Sequence, residues 1–100
     1  MTKLPCVYIL ASGKNGTLYV GVTSHLIQRV YQHREGQAHG FTKRHDVHDL
    51  VWYETHESME SAILKEKRLK TWERAAKIRL IERTNPEWRD LWPGLASTSL

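Results

Sequence analysis

Glu66 stands where ordinary helix packing would place a leucine. From Ser58 onward, apolar residues recur at helical spacing as Met59, Ala62, Ile63 and Leu69. At about 100° per residue, Glu66 projects into the sector these four span. An unpaired ionised carboxylate in such a setting costs several kcal/mol, so it needs a cation, a set of donors or a water-filled cleft. A bound metal ion and an ion pair with a nearby Arg or Lys both remain open. Glu57 and Glu60 form the contrast. Glu60 projects off the stripe, and Glu57 lies at the helix start, where the dipole favours carboxylates.

Arg29 and His33 are four residues apart and share one face of a helix, beside the apolar positions Leu26 and Val30. The guanidinium offers planar, permanently charged donors suited to a phosphate, and the imidazole can relay a proton near neutral pH. The same pair also reads as a solvated helix face. Gly21 follows a strand-like run and precedes a helix, a place where a missing side chain permits close approach of backbone or ligand, or simply eases a turn. Six histidines invite a zinc reading, but His39, His45 and His48 lack cysteine partners and recognisable ligand spacing.

These residues need elements to hold them. Cys6-Val7-Tyr8-Ile9-Leu10 and Leu18-Tyr19-Val20-Gly21-Val22 favour strands, and the turn formers between them make a hairpin. Strand alternation puts Tyr8 on one face with Cys6 and Leu10, and Tyr19 on one face with Thr17 and Gly21. Whether the two tyrosines share a face depends on register, which the loop leaves open. Leu26, Ile27, Val30 and Tyr31 predict a short amphipathic helix, with Thr23 or Ser24 as cap and Gly36 as stop. Residues 36–48 are polar and aperiodic and read as a surface loop. Leu50-Val51-Trp52-Tyr53 supplies a third strand. Two helices follow, broken near Lys70 to Trp72, the second ending at Asn85-Pro86. Trp88, Leu91 and Trp92 are expected to pack the tail against the body; left exposed, Trp88 and Trp92 would form an interaction surface. The fold class is a small α/β sandwich with a three-stranded, mainly antiparallel sheet flanked by helices.

One hundred residues leave room for one modest core, so residues 1–95 are expected to form a single domain and residues 96–100 a frayed tail. Lys and Arg number 15 against 11 Asp and Glu, a formal charge of +4, and the pI is about 9.4; this bias attracts polyanions. The excess is concentrated between Lys65 and Arg83, a distribution that fits either a nucleic-acid contact or a solvated helix surface. No apolar run approaches the roughly 18 residues of a membrane span, and Met1–Pro5 lacks the apolar core of a secretory signal, so a cytoplasmic location without membrane partners is expected. Cys6 lies in an apolar run and reads as a small buried hydrophobe.

Taken together, Cys6-Val7-Tyr8, Tyr19-Val20-Gly21, Arg29, His33 and Glu66 resemble the ordered signature of the GIY-YIG nucleases, over roughly residues 6–85. The small stand-alone members and the nuclease module of the bacterial excision-repair incision subunit are the most similar. The resemblance implies a DNA endonuclease, with a role in DNA repair or processing, that uses Mg²⁺ or Mn²⁺. It makes Tyr8 and Tyr19 the motif tyrosines, Arg29 the phosphate-binding arginine, Glu66 the metal-ligating carboxylate and His33 a proton acceptor. Either tyrosine could orient or deprotonate the attacking water. Gly21 becomes the motif glycine that leaves room for the substrate backbone, and Asn85 corresponds to an asparagine near the end of the domain. Lys67 and Lys70 are expected to contact DNA beside the acid. Two departures stand out: Cys6 replaces the first motif's glycine, and Val22 stands where some repair-type members carry a lysine. With no added binding domain expected, either specificity is low or a protein partner or self-association supplies it. A noncatalytic nucleic-acid-binding module derived from a nuclease is the alternative.

Overall fold

The computed structural model describes residues 4–37 and 40–98. Its elements in chain order are β1 (Cys6–Ala11), β2 (Leu18–Thr23), α1 (Leu26–Arg34), α2 (Gly40–Arg44), β3 (Asp49–Thr55), α3 (Met59–Thr71), α4 (Arg74–Thr84) and α5 (Trp92–Thr98). The sheet order is β2-β1-β3, both pairings antiparallel. Every residue of β1 is buried, as a central strand covered on both faces requires. On one face Val7, Ile9 and Ala11 meet Ala62 and Leu69 of α3, Ile81 of α4, and Trp88. On the other, Tyr8 and Leu10 meet Val30 of α1, Val47 and Leu50, with Phe41 of α2 and Trp92 and Leu95 of α5 packed against them. The α/β sandwich with a three-stranded antiparallel sheet is as expected. None of its described helices is long and apolar enough to cross a membrane.

Local chemistry explains most boundaries. Ser58, in extended conformation, accepts a hydrogen bond from Ser61 N at 3.1 Å and so caps α3. The helix stops where Trp72 turns extended, and Glu73 in the same conformation starts α4. At the end of α1, Gly36 adopts φ +70°, the left-handed turn that releases the chain from a helix. The start of α1 differs from expectation. His25 occupies the cap position with no side-chain capping bond, while Thr23 Oγ1 accepts from His25 N at 3.0 Å. Thr23 thus braces the turn into the helix instead of capping it.

Two further expectations are corrected. Residues 36–48 contain the short helix α2, which sequence periodicity could not reveal because five residues make little more than one turn. The tail expected to loosen at Ala96 is helical through Thr98; residues 99–100 lie outside the described residues. The tail tryptophans, by contrast, pack against the body as expected. Trp88 is 5% exposed and donates to Glu82 at 2.7 Å. Trp92 Nε1 donates to the Ile27 carbonyl at 3.0 Å.

Candidate active site

The hairpin register settles the orientation of the tyrosines. Tyr8 lies opposite Gly21, and Leu10 lies opposite Tyr19. Directly opposed residues of an antiparallel pair point to the same side, so both phenols project from one face, diagonal to one another. Their ring centroids are 6.4 Å apart. On α1 over that face, the helical spacing of Arg29 and His33 brings His33 down between the rings, its centroid 6.0 Å from Tyr8 and 5.3 Å from Tyr19. The Tyr8 hydroxyl and His33 Nε2 are 3.1 Å apart in a buried hydrogen bond.

Glu66 comes from the opposite layer. Strand β2 is an edge of the sheet, and α3 packs against β2 and β1. Beside Gly21 and Val22, the carboxylate meets the other layer in a cleft of about 290 Å³ lined by Tyr8, Tyr19, Gly21, Val22, Arg29, His33 and Glu66. Five residues scattered over 59 positions of sequence, from Tyr8 to Glu66, thus share one cavity. Arg29 is exposed at its rim.

The side chain of Glu66 is 15% exposed, and its Oε2 is 2.9 Å from Lys70 Nζ, an i,i+4 ion pair. Of the two solutions foreseen for this acid, the ion pair is the one observed, and it is made while Glu66 lines the cleft with the phenols. Lys70 is 54% exposed, so its ammonium can move into water, but the largely buried carboxylate it leaves needs another cation in its place. A cation at this position would rest on Glu66 as its single protein carboxylate. Among the described residues, no group of three or more His, Cys, Asp or Glu side chains is placed to hold a metal ion, and His39 lies outside them. One carboxylate in a polar, open cleft fits a hard divalent ion that keeps most of its waters, such as Mg²⁺.

Burial holds the Tyr8 phenol well above its ordinary titration range; Tyr19 pushes it the same way, Arg29 opposes, and Glu66 adds a smaller upward push. Burial likewise raises the Cys6 thiol, which is 4% exposed and points its sulfur at the Leu4 carbonyl, the inert small hydrophobe expected from its apolar surroundings.

Gly21 owes its identity to the protein itself. A Cβ there would lie 2.5 Å from both the Tyr8 Cζ and its hydroxyl oxygen, so the missing side chain makes room for the phenol across the hairpin. Asn85 lies away from the cleft. It is 5% exposed, and its amide donates to Val51 O at 3.0 Å and Arg89 O at 2.9 Å while its oxygen accepts from Arg89 N at 3.0 Å. Val51 is the residue that a register shift leaves without a β1 partner, so Asn85 ties an irregular part of β3 to the end of α4. Lys67 is exposed on α3 and does not line the cleft; Lys70 reaches it through Glu66.

Sequence reasoning missed Thr42. Its hydroxyl is 3.0 Å from His33 Nδ1, and the residue is 2% exposed. It sits in the stretch read as loop, where no periodicity marks a residue as buried.

Comparison with known proteins supplies the family. Residues 4–79 match the GIY-YIG catalytic domain. Two Staphylococcus aureus proteins, each described as a UPF0213 protein, from strains Mu3 and Mu50, are 39% identical over 77 residues, covering 76% of this chain and 92% of theirs. The solution NMR structure of the UPF0213 protein BH0048 from Bacillus halodurans superposes with a TM-score of 0.53 at 28% identity, covering 86% of this chain and 90% of that one. With a family match across most of its length and the motif side chains gathered at one cleft, this chain belongs to the GIY-YIG family.

Proposed function

We propose that the protein is a divalent-metal-dependent endonuclease that hydrolyses phosphodiester bonds in DNA. The observation that carries this reading is the meeting of Tyr8, Tyr19, Arg29, His33 and Glu66 around one cleft at the β2 edge. Lys67, Arg68, Arg74, Arg79 and Arg83 of α3 and α4 are exposed, an excess of cations that suits a polyanionic substrate. DNA processing or repair is the setting such chemistry serves.

In this mechanism Arg29, permanently charged at the rim, binds the scissile phosphate and stabilises charge as the fifth oxygen ligand forms at phosphorus. A Mg²⁺ or Mn²⁺ ion held by Glu66 would neutralise further charge on the phosphate and its leaving oxygen. Tyr8 is poorly suited to become a free phenolate, given its burial and the acid nearby. It is well suited to a relay. As water attacks phosphorus, its proton passes to the Tyr8 oxygen while the Tyr8 proton passes to His33 Nε2, so the imidazole is the net acceptor. The bond from phosphorus to the leaving oxygen breaks, and that oxygen takes a proton from solvent. Tyr19, packed against His33, orients the water.

Incubation with supercoiled plasmid, Mg²⁺ or Mn²⁺ and a chelator control tests the proposal. Metal-dependent nicking is expected, lost in Glu66→Gln and in Arg29→Ala while both variants stay folded by circular dichroism. Full activity in either variant rejects these roles. The Lys70 contact on Glu66 favours one rival, a noncatalytic nucleic-acid-binding module in which the ion pair is permanent. That protein would retard DNA in a gel without nicking it under any metal condition.

A further inference from the structure

We propose that Thr42 is a positioning residue of this site, its Oγ1 fixing His33 in the tautomer that turns the Nε2 lone pair toward the Tyr8 hydroxyl. The inference rests on the relay above. A neutral imidazole has one N–H donor and one acceptor nitrogen, and which nitrogen carries the proton follows from the partner of each. Here both ring nitrogens face hydroxyls: Nδ1 meets Thr42 Oγ1 at 3.0 Å, and Nε2 meets the Tyr8 oxygen at 3.1 Å. Two arrangements satisfy these distances, because a hydroxyl can donate or accept. The chemistry of the two partners chooses between them. A phenol, with an ordinary pKa of about 10, is a far stronger donor than an aliphatic alcohol. The favoured chain runs from the Tyr8 O–H to Nε2 and from Nδ1–H to Thr42 Oγ1. It is also the chain a relay requires, since an imidazole protonated at Nε2 has no lone pair to receive the tyrosine proton.

The surroundings hold the arrangement in place. His33 is 4% exposed and Thr42 2%, so bulk water does not compete for either nitrogen's partner. As His33 becomes imidazolium, the Nδ1–H bond to Thr42 becomes charge-assisted and stronger. Thr42 sits on α2, where its neighbour Phe41 packs its ring against Tyr19 with centroids 6.1 Å apart. The short helix thus supports two of the clustered side chains from behind, which gives the segment between α1 and β3 a positioning role.

The test uses the full chain labelled with ¹⁵N-histidine, the His33 signals being those lost in His33→Gln. At about pH 8.5, where imidazole is neutral, wild type is expected to show the proton on Nδ1. Thr42→Val keeps the shape of the side chain and removes the oxygen; it is expected to shift the population toward Nε2–H and to lower kcat roughly 10- to 100-fold, the range seen when metal-ligating histidines lose their outer partner, with KM nearly unchanged. Thr42→Ser, which keeps a hydroxyl, is expected to restore both the tautomer and most of kcat. A wild-type proton on Nε2, or an unchanged tautomer and kcat in Thr42→Val, overturns the proposal. Should Thr42→Val not fold, the wild-type tautomer and the Thr42→Ser rate still decide. If wild type cleaves no DNA, the nuclease reading fails on its own, while the nitrogen signals continue to report on Thr42.

Discussion

Gly21 faces Tyr8 across the hairpin, where a side chain would meet the phenol. The strand-glycine-helix pattern marks a close approach, but only the pairing of Tyr8 with Gly21 reveals what approaches. Alanine there would set a methyl carbon against the ring tip of a buried phenol. Gly21→Ala is therefore expected to destabilise the fold by about 1–3 kcal/mol, as overpacking does, and to reduce cleavage by roughly 100-fold through displacement of Tyr8 from His33; urea melts and nicking rates check both. An equal activity in the variant would show that the phenol has slack. Tyr8 also leaves a signature in alkaline stability. Its phenol stays protonated in the folded protein above the pH at which the unfolded chain loses that proton, so the unfolded state binds fewer protons there and stability falls as pH rises past about 10. Below that range its contribution is constant. Unfolding free energies between about pH 8 and pH 11 are expected to drop less steeply in Tyr8→Phe than in wild type; parallel slopes would exclude the phenol as their source. The motif side chains themselves were legible in the sequence because each is odd in its place: an acid on an apolar stripe, a basic pair four apart, tyrosines on strands flanking turn formers. Thr42 was not, since a threonine in a polar stretch is ordinary until its neighbours are known.

The predicted hairpin, third strand and two C-terminal helices correspond to observed elements because their periodicity spans several turns or alternations. Two features escaped for opposite reasons. Helix α2 is too short to display a period, and α5 gains its place from tertiary contacts. Those contacts centre on Asp90, whose Oδ1 accepts from Leu50 N at 3.1 Å and Trp92 N at 3.2 Å while Oδ2 accepts from Arg34. Arg34 in turn lies 4.8 Å over the Trp92 ring, and Tyr31 stacks on that ring at 6.2 Å. One carboxylate thereby fastens the start of β3, the last turn of α1 and the entry to α5. Asp90→Ala removes a charged acceptor from three donors, and hydrogen bonds to charged groups contribute about 1.5–3 kcal/mol each before solvent replaces part of them. The variant is expected to lose about 2–3 kcal/mol in urea unfolding. A loss below about 0.5 kcal/mol, the usual size of a neutral surface change, would mean that α5 docks through its apolar contacts alone.

Seen entire, the protein divides its chemistry between two layers. The phenols, the imidazole and the guanidinium belong to the α1 side of the sheet, the acid to the α3 side, and they meet at the free edge of β2. That edge could not be read in advance, because it requires the register across a turn and the choice of β1 as centre. It also determines where a long anion can lie. The exposed cations of α3 and α4 follow the acid's layer, so a strand entering the cleft would run along α3, passing Lys67 and Arg68. A net charge of +4 is modest, and binding driven by it should be short in reach and sensitive to salt, with log K falling against log salt by about 0.9 for each phosphate neutralised on duplex DNA. Replacing Lys67 and Arg68 together with alanine is expected to reduce that slope by about 1–2 and to weaken all DNA sequences alike, since phosphate contacts carry no base information. Fluorescence anisotropy with a labelled duplex across a salt series measures it. An unchanged slope would place the DNA elsewhere on the surface and leave α3 as the support for Glu66 alone.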